Sequence, residues 1–235
     1  DANGTTTVSA EVQATGAGTI EFGASETGPL TLSVANPTYV VQTSGGDSTF
    51  NRPVTLTEDT LITTGAADGN ITFGANATIN GAFPLTLTAG TGTIAFNAAV
   101  GNTIPLDDIT VTATNINLVG MTMTATAATS SISITGAVTL SGGAVELHAE
   151  DDITVTGTVS GAQNLTVETS TVAPSAISFS GNVGTPAQLG AILITDGYDV
   201  SFSGTVDAAS ITQTNGANST TFTGNVTTTG AITIT

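Results

Sequence analysis

The chain has 235 residues, of which 18 are Asp or Glu and only one, Arg52, is Lys or Arg, so its net charge is −17. This lack of cations excludes nucleic acid and anionic membrane surfaces as expected partners, and the absence of cysteine excludes disulfides and thiolate metal sites. Threonine is abundant and helix-favouring residues are scarce, so the composition predicts an all-β protein, and its small, polar, cysteine-free character predicts a secreted, extracellular or cell-surface location.

Residues 1–49 contain short alternating segments but match the later repeats poorly. Terminal units of stacked proteins are often atypical, so this part is predicted to form an N-terminal cap or assembly segment, followed by solenoid repeats over residues 50–235. The first residues lack the basic and apolar regions of a signal peptide. We therefore expect either the mature form of an exported protein or a piece of a longer one.

The repeat is clearest in the phenylalanines. Phe50, Phe73 and Phe96 follow one another at equal intervals, and the same interval separates Phe179 from Phe202. Aliphatic residues take the same place in the units between Phe96 and Phe179. The sequence therefore predicts one ladder of stacked core side chains, formed by Phe50, Phe73, Phe96, Ile134, Val155, Phe179, Phe202 and Phe222.

Each unit also alternates apolar and hydroxyl residues, as in Leu85–Thr88 and Ile109–Thr112, which is the pattern of a half-buried strand. Units of about 20–24 residues, with short strands joined by Gly and Asn turns, predict a right-handed parallel β-solenoid of roughly ten coils. At about 4.8 Å per coil, it would form a rod about 50 Å long. A β-sandwich is the alternative, but it would not make the sequence echo itself at one constant period.

The repeats resemble those of a class of exported proteins. Units of the form Ile/Val-x-Phe-x-Gly-x-Val, such as Ile177–Val183 and Val200–Val206, resemble the β-strand repeats of large bacterial surface exoproteins, the filamentous-haemagglutinin-like adhesins and autotransporter passengers. The resemblance covers about Phe50 to Thr235. It implies export, a right-handed parallel β-helix and a role in adhesion or as a structural stalk. The N-terminal secretion domain of such adhesins is not recognisable in the chain.

Few residues could carry catalysis. Arg52 is the only candidate for the strong base of a polysaccharide lyase, and the sole histidine, His148, has no spacing that indicates a catalytic triad. A glycoside hydrolase needs two carboxylates across a groove, whereas the Asp–Asp pairs of this chain are typical of solvated turns. The sequence therefore predicts no enzyme, and polysaccharide processing is the least favoured function.

Two groups of polar residues are weak candidates for binding a cation. Alternation places the acidic and histidine side chains of the segment 145–150 on one outer face, about 6.5–7 Å apart, where they could converge on a divalent metal. Two Asp–Asp pairs could supply oxygen ligands for weak surface calcium. A solvated strand and solvated turns are the simpler interpretations, so no cofactor is expected. The candidate ligands are Glu146, His148, Glu150, Asp107, Asp108, Asp151 and Asp152.

Threonine pairs at alternate positions are a further recurrent feature. On the face of a solenoid, ranks of Thr-x-Thr would be similar to those of ice-binding proteins, so ice binding is an alternative function. The pairs do not keep one position relative to the phenylalanine slot, and Thr suits outward strand positions generally, so this function is not favoured. The pairs are Thr55/Thr57, Thr86/Thr88, Thr110/Thr112, Thr122/Thr124/Thr126, Thr154/Thr156 and Thr233/Thr235.

Asn-x-Ser/Thr sequons are also frequent. In a chain this rich in Asn and Thr many arise by chance, so they permit glycosylation in a suitable host without indicating it. The candidate acceptors are Asn3, Asn70, Asn76, Asn164, Asn218 and Asn225.

The C-terminal segment completes the functional prediction. Gly230–Thr235 alternates as a strand without charge or proline, which would leave an open edge that another chain can extend. Contact between this edge and the N-terminal strands would be heterologous and would grow a filament. The alternative is a longer solenoid whose next coil covers the edge. The edges predicted to meet comprise Ile232, Thr233, Ile234 and Thr235 at one end and Val8, Val12, Ile20 and Phe22 at the other.

We therefore expect an extracellular structural protein, a fibre subunit or an adhesin stalk. Its main partner would be a further copy of itself, joined head-to-tail into a surface filament. In an adhesive role it would also contact surface glycans or other cells.

Overall fold

A computed structural model describes residues 4–23, 28–172 and 174–235. Within these residues the chain forms 26 β-strands and no helix, so none of the described segments offers a helix that is long and apolar enough to cross a membrane. The named strand pairs are all parallel, and the chain winds into a β-solenoid of about ten coils. This confirms the predicted fold class, and the sandwich alternative is wrong.

The strands are short and follow one another around the coils. The first four coils contain β1 (Thr6–Val8), β2 (Val12–Ala14), β3 (Ile20–Phe22), β4 (Leu30–Leu32), β5 (Val41–Thr43), β6 (Ser48–Phe50), β7 (Val54–Leu56), β8 (Thr60–Thr63), β9 (Ile71–Phe73), β10 (Ile79–Asn80), β11 (Leu85–Thr88) and β12 (Thr93–Phe96). The middle coils contain β13 (Ile109–Val119), β14 (Thr122–Ala125), β15 (Ile132–Ser141), β16 (Val145–Ala149), β17 (Ile153–Thr156) and β18 (Val159–Ser160). The last coils contain β19 (Leu165–Glu168), β20 (Ala176–Phe179), β21 (Leu189–Ile194), β22 (Gly197–Phe202), β23 (Val206–Gln213), β24 (Gly216–Phe222), β25 (Val226–Thr228) and β26 (Ile232–Ile234).

Stacking of successive coils produces three faces. The first face carries β1, β4, β7 and β10, continues through a bridge at Val100, and then carries β14, β16, β19, β21, the end of β23 and β26. The second face carries β2, β5, β8, β11, the first halves of β13 and β15, then β17, β20, β22 and β24. The third face carries β3, β6, β9, β12, the second halves of β13 and β15, β18, the start of β23 and β25.

The alternating sequence explains how one strand serves both the core and the surface. In β15, Ile132 and Ile134 are buried, while Ser133 points outward. The alternation breaks at Gly136 and resumes with Val138 inside, so the same strand turns a corner from the second face to the third. Successive side chains of a strand point to opposite sides, which leaves the interior apolar and the outer surface rich in hydroxyls.

The predicted single ladder of core residues is wrong, because its members occupy two faces. Phe22, Phe50, Phe73 and Phe96 stack on the third face with ring centroids 4.9–5.4 Å apart, and Leu118 continues that column. The other column lies on the second face and comprises Ile134, Val155, Phe179, Phe202 and Phe222. All of the predicted residues line the core, although Phe222 is only partly buried.

The sequence contains the signal that separates the two columns. The interval from Phe96 to Ile134 is longer than one coil and shorter than two, so these residues cannot occupy the same position of their coils. The residues of every column recur once per coil, so the spacing is the same on all three faces. Equal spacing therefore assigns residues to one column only when they can be followed from coil to coil without a gap. The phenylalanines of the two halves share a period without sharing a face.

The N-terminal segment already belongs to the stack. β1 pairs with β4, β2 with β5 and β3 with β6, all in parallel and without a shift in register. Strand pairing therefore shows no boundary at residue 50, and the described part of residues 1–49 forms solenoid coils. It was difficult to recognise because the interval between its stacked residues differs from that of later coils, as in Val12 on Val41 against Phe50 on Phe73. Its role as a cap or assembly segment stays a prediction.

Candidate functional site

Arg52 is a structural residue of the N-terminal coils. Its side chain is 2% exposed, and its guanidinium donates hydrogen bonds to the backbone oxygens of Gly28, Pro29 and Gly4 and to the Thr6 hydroxyl, at 2.7–3.2 Å. Five donors in a rigid fork suit this divergent set of acceptors. The sole guanidinium of the chain therefore ties the first three coils together and does not face a groove.

His148 lies between two carboxylates on the first face. Its Nε2 is 3.9 Å from Glu146 Oε2 on the same strand, and its Nδ1 is 3.8 Å from Glu168 Oε2 on the neighbouring coil. His148, Glu150 and Glu168 line an open groove of about 280 Å³. Within the described segments, Glu150 forms no ion pair with the imidazole of His148. Alternation along the strand correctly predicted that Glu146 shares an outer face with His148. It could not predict Glu168 as a neighbour, because Glu168 comes from the next coil.

No three His, Asp or Glu side chains within the described segments come together closely enough to hold a metal ion. Glu146 instead accepts a hydrogen bond from Thr122, and Glu168 accepts one from Thr195. Both acidic groups are thus engaged with neighbouring coils.

The two Asp–Asp pairs lie on one edge of the second face with a coil between them. Asp108 accepts a hydrogen bond from the amide of Ser131, and Asp152 accepts one from the amide of Ala176, each in the following coil. Burial, followed by the charges of Asp152 and Asp108, raises the pKa of Asp151. These carboxylates therefore hold coils together and repel one another. Asp107 precedes Asp108 and is half-buried, and weak calcium binding at the pairs stays a prediction.

Two ranks of hydroxyl groups run along the second face. They occupy outward positions in, or directly after, β11, β13, β15, β17, β20, β22 and β24, one pair in each of seven successive coils, and the strands stack without a shift at these positions. We call this surface the hydroxyl array. Its pairs are Thr86/Thr88, Thr110/Thr112, Ser133/Thr135, Thr154/Thr156, Ser178/Ser180, Ser201/Ser203 and Thr221/Thr223.

Hydroxyl pairs do line up on this face, although the threonine pairs keep no constant distance from the phenylalanines in the sequence. Phe96 belongs to the third face and Thr55/Thr57 to the first, so distances to these residues do not report the register of the second face. Serine at Ser133 also hid the pairing with Thr135. Register between neighbouring coils, which the sequence alone did not supply, brings these pairs into line.

A stack of glycines borders the hydroxyl array. Gly157, Gly181, Gly204 and Gly224 each follow the second hydroxyl of a pair, and a Cβ at any of them would lie 2.1–2.5 Å from the backbone oxygen of the preceding glycine in the stack. Only glycine permits this approach of neighbouring coils. On the opposite border, an aspartate lies two residues before the first hydroxyl of the pair in every second coil, and these residues are Asp108, Asp152 and Asp199.

The terminal coils expose apolar groups that are buried elsewhere. Ile232 and Ile234 are 49% and 44% exposed, while Ile192 and Ile211, in the same column as Ile232, are fully buried. At the other end, Val8 is nearly buried and the remaining predicted edge residues, Val12, Ile20 and Phe22, pack only partly against the core. Thr233 and Thr235 lie exposed beside the isoleucines.

The sequons differ in how their side chains are used. Asn70 joins coils by donating to Asp47 and accepting from the amide of Thr93, and Asn164 accepts from the amide of Ala191. Asn218 donates to Asp199. Two of the candidate glycosylation sites, Asn76 and Asn225, are exposed and make no side-chain hydrogen bond to the described residues. A third, Asn3, lies outside the described residues. Glycosylation stays a prediction.

Comparison with known proteins yields no relative: no family model, no curated protein and no solved structure matches the chain. The likeness to bacterial surface exoproteins therefore remains one of repeat pattern and fold class.

Proposed function

We propose that the chain is a structural element of an extracellular fibre or adhesin stalk, whose copies stack head-to-tail into a continuous β-solenoid. The observation that carries the proposal is the column Ile192, Ile211 and Ile232. The first two are covered by the following coil and fully buried, while the third presents half of its surface to solvent. A further coil on this end would complete the burial.

The chemistry of the two ends favours a heterologous contact. Residues 214–235, which form the C-terminal coil, carry no charged side chain, whereas the N-terminal coil carries Glu11 and Glu21. Stacking two N-terminal coils would bring these carboxylates together, which costs free energy. Stacking the uncharged end on the acidic end avoids this repulsion, and a contact between different ends grows a filament.

The way in which the ionisable groups are used agrees with a structural role. Arg52 donates to backbone carbonyls inside the N-terminal coils, and Asp108 and Asp152 hold the amides of following coils. Cohesion then depends on apolar columns and parallel hydrogen-bond ladders. Such a rod suits a stalk or fibre that keeps a fixed length and shape.

Negative-stain microscopy of two matched variants tests the proposal. Ile234→Lys places a charge at an inward position of the exposed edge, whereas Thr233→Lys places the same charge outward on the same strand. Wild-type protein and Thr233→Lys should form long rods, and Ile234→Lys should give particles about 48 Å long, the length of ten coils. Rods formed equally by both variants would overturn head-to-tail stacking at this edge.

Mass spectrometry of denatured native fibres provides the complementary control. Non-covalent stacking requires a species of 23.0 kDa plus any glycans. A much larger chain would show that the next coil belongs to the same polypeptide, and the proposed junction would be wrong.

A further inference from the structure

The hydroxyl array is a regular feature of the described surface. Neighbouring members of a rank are one coil apart, about 4.8 Å, and the two ranks are separated by two residues along the strand, about 6.6 Å. It covers seven coils on one face, so it presents a two-dimensional lattice of hydroxyls instead of a concave pocket.

The array hydroxyls are largely free to bind something outside the protein. Thr112, Thr135 and Thr156 are exposed, and their hydroxyls make no hydrogen bond to any residue that the structure describes. Ser201 donates to Ser178 at 3.2 Å, which is a contact within the array itself. Each hydroxyl offers one donor and two lone pairs, close to the repertoire of a water molecule.

The other two faces lack this uniformity. The corresponding outward rank of the third face contains Glu21, Ala95 and Asn117 among its threonines. That of the first face contains Glu146 and Leu193.

Threonine is common on every face, and the first face has a short run of Thr7, Thr31 and Thr55. The second face carries Gln13, Gln42 and Leu61 at the array positions of its first three coils. Among the described coils, hydroxyl pairs in seven successive coils occur on the second face alone.

Hydrogen-bonded water has a spacing close to that of the ranks. With O–H···O distances of about 2.75 Å and tetrahedral geometry, second-neighbour oxygens in a water lattice lie about 4.5 Å apart. This is within about a tenth of the coil spacing of about 4.8 Å. We propose that the hydroxyl array binds ice, because it holds uncharged hydroxyls close to the lattice spacing of ordered water, and the hydrogen bond between Ser201 and Ser178 lies within the array.

A crystalline polysaccharide is the competing partner, since it also presents ordered hydroxyls. None of the array residues is aromatic, so none could stack on a sugar ring. An open groove of about 400 Å³ touches the array only at Thr86, so it does not run along the ranks as an enclosing glycan site would. The match to the spacing of water favours ice. The proposal is independent of head-to-tail stacking, because the array runs along the side of the rod.

Two threonines of one strand provide a matched test. Thr135 and Thr139 are both exposed on β15, but Thr135 belongs to the array and Thr139 lies around the corner on the third face. Thr135→Tyr would raise a ring above the middle of the array, and Thr139→Tyr would add the same ring elsewhere. Thr112→Tyr, on β13 in the same rank, repeats the test on a second strand. Circular dichroism melting establishes that each variant is folded.

The measurements are thermal hysteresis and inhibition of ice recrystallisation. We expect the wild-type protein to shape ice, Thr135→Tyr and Thr112→Tyr to lose activity severalfold, and Thr139→Tyr to retain it. No ice shaping by the folded wild-type protein, or equal losses in all three variants, would overturn the proposal. Retention on crystalline cellulose or chitin without ice activity would assign the array to a polysaccharide and would also overturn it. Rod formation is scored separately by microscopy, so failure of this inference leaves the stacking test unaffected.

Discussion

The last two coils of the solenoid have the same sequence pattern but differ in burial. Phe202 is 1% exposed and is stacked between Phe179 and Phe222, whereas Phe222 has a stacked ring on one side only and is partly exposed. The strand that carries each phenylalanine pairs in parallel with its neighbour in the same register. Burial in this fold therefore comes from the adjacent coil, and the residue's own strand contributes little to it.

The largest expected effect comes from truncating the two rings. Phe202→Ala should lower the local free energy of opening by about 3–5 kcal/mol, since it removes a fully buried side chain and leaves a cavity. Phe222→Ala should cost distinctly less in unassembled protein. Native-state amide exchange is the suitable measurement, because repeat proteins open locally and a single unfolding free energy is poorly defined. Equal losses in dilute protein would contradict the dependence of burial on the adjacent coil.

The glycine stack tests how closely the middle coils approach one another. Gly181→Ala would place a Cβ 2.1 Å from the Gly157 oxygen and should destabilise the coils around it by about 3 kcal/mol. Gly23→Ala is the control, because no described residue other than the neighbours of Gly23 in the chain has an atom within 4 Å of the added carbon. Thermal denaturation followed by circular dichroism distinguishes the two. A Gly181→Ala protein as stable as Gly23→Ala would show that the coils can separate at this corner.

The N-terminal coils have a clamp that the C-terminal coil lacks. Arg52→Met keeps the apolar stem but removes the donors to Gly28, Pro29 and Gly4, so we expect about 2 kcal/mol less protection of the amides in residues 4–23. Exchange in residues 214–235 should not change. Arg52→Lys, with fewer donors in another geometry, should recover only part of the loss. Uniform loss along the chain would contradict a local clamp.

The smallest effect concerns charge repulsion at the edge of the second face. The pKa of Asp151 is raised in the folded protein, so ionisation of its carboxyl group lowers the free energy of unfolding as pH rises through the carboxyl range. Asp151→Asn should therefore raise the melting temperature slightly at pH 7 and have no effect below the ordinary carboxyl pKa of 3.8. Asp152→Asn, which keeps an oxygen for the Ala176 amide, is the comparison. A gain for Asp151→Asn that persists in acid would contradict repulsion as its cause.

Coil length was predictable from the sequence, but the position of each residue around the coil was not. Seven residues separate Thr63 from Ile71 at the corner between the second and third faces, whereas two residues separate Thr156 from Val159 there. Other loops compensate, because stacked coils must follow nearly the same path. The coil length therefore stays nearly constant, while the phenylalanine of the repeat lies on the third face in the first coils and on the second face in the last. For this reason two phenylalanine columns looked like one in the sequence.

The same limitation explains what was missed at the candidate sites. The partners Glu168 of His148 and Ser131 of Asp108 come from adjacent coils, so they depend on register, which a short repeat specifies weakly. Arg52 could be recognised as the sole cation, but its burial depends on carbonyls of two earlier coils. Alternation within a strand, by contrast, predicted the inward and outward residues of β15 and β16 correctly.

Amide hydrogen exchange as a function of protein concentration tests head-to-tail stacking most directly. If the last coil of one copy covers the first coil of the next, the amides of β26 and of β1–β3 should gain protection together as concentration rises, while β15 in the middle stays unchanged. Protection of both ends with the same concentration dependence is the result that stacking predicts. Terminal amides that exchange at the same rate from dilute to concentrated protein would contradict it.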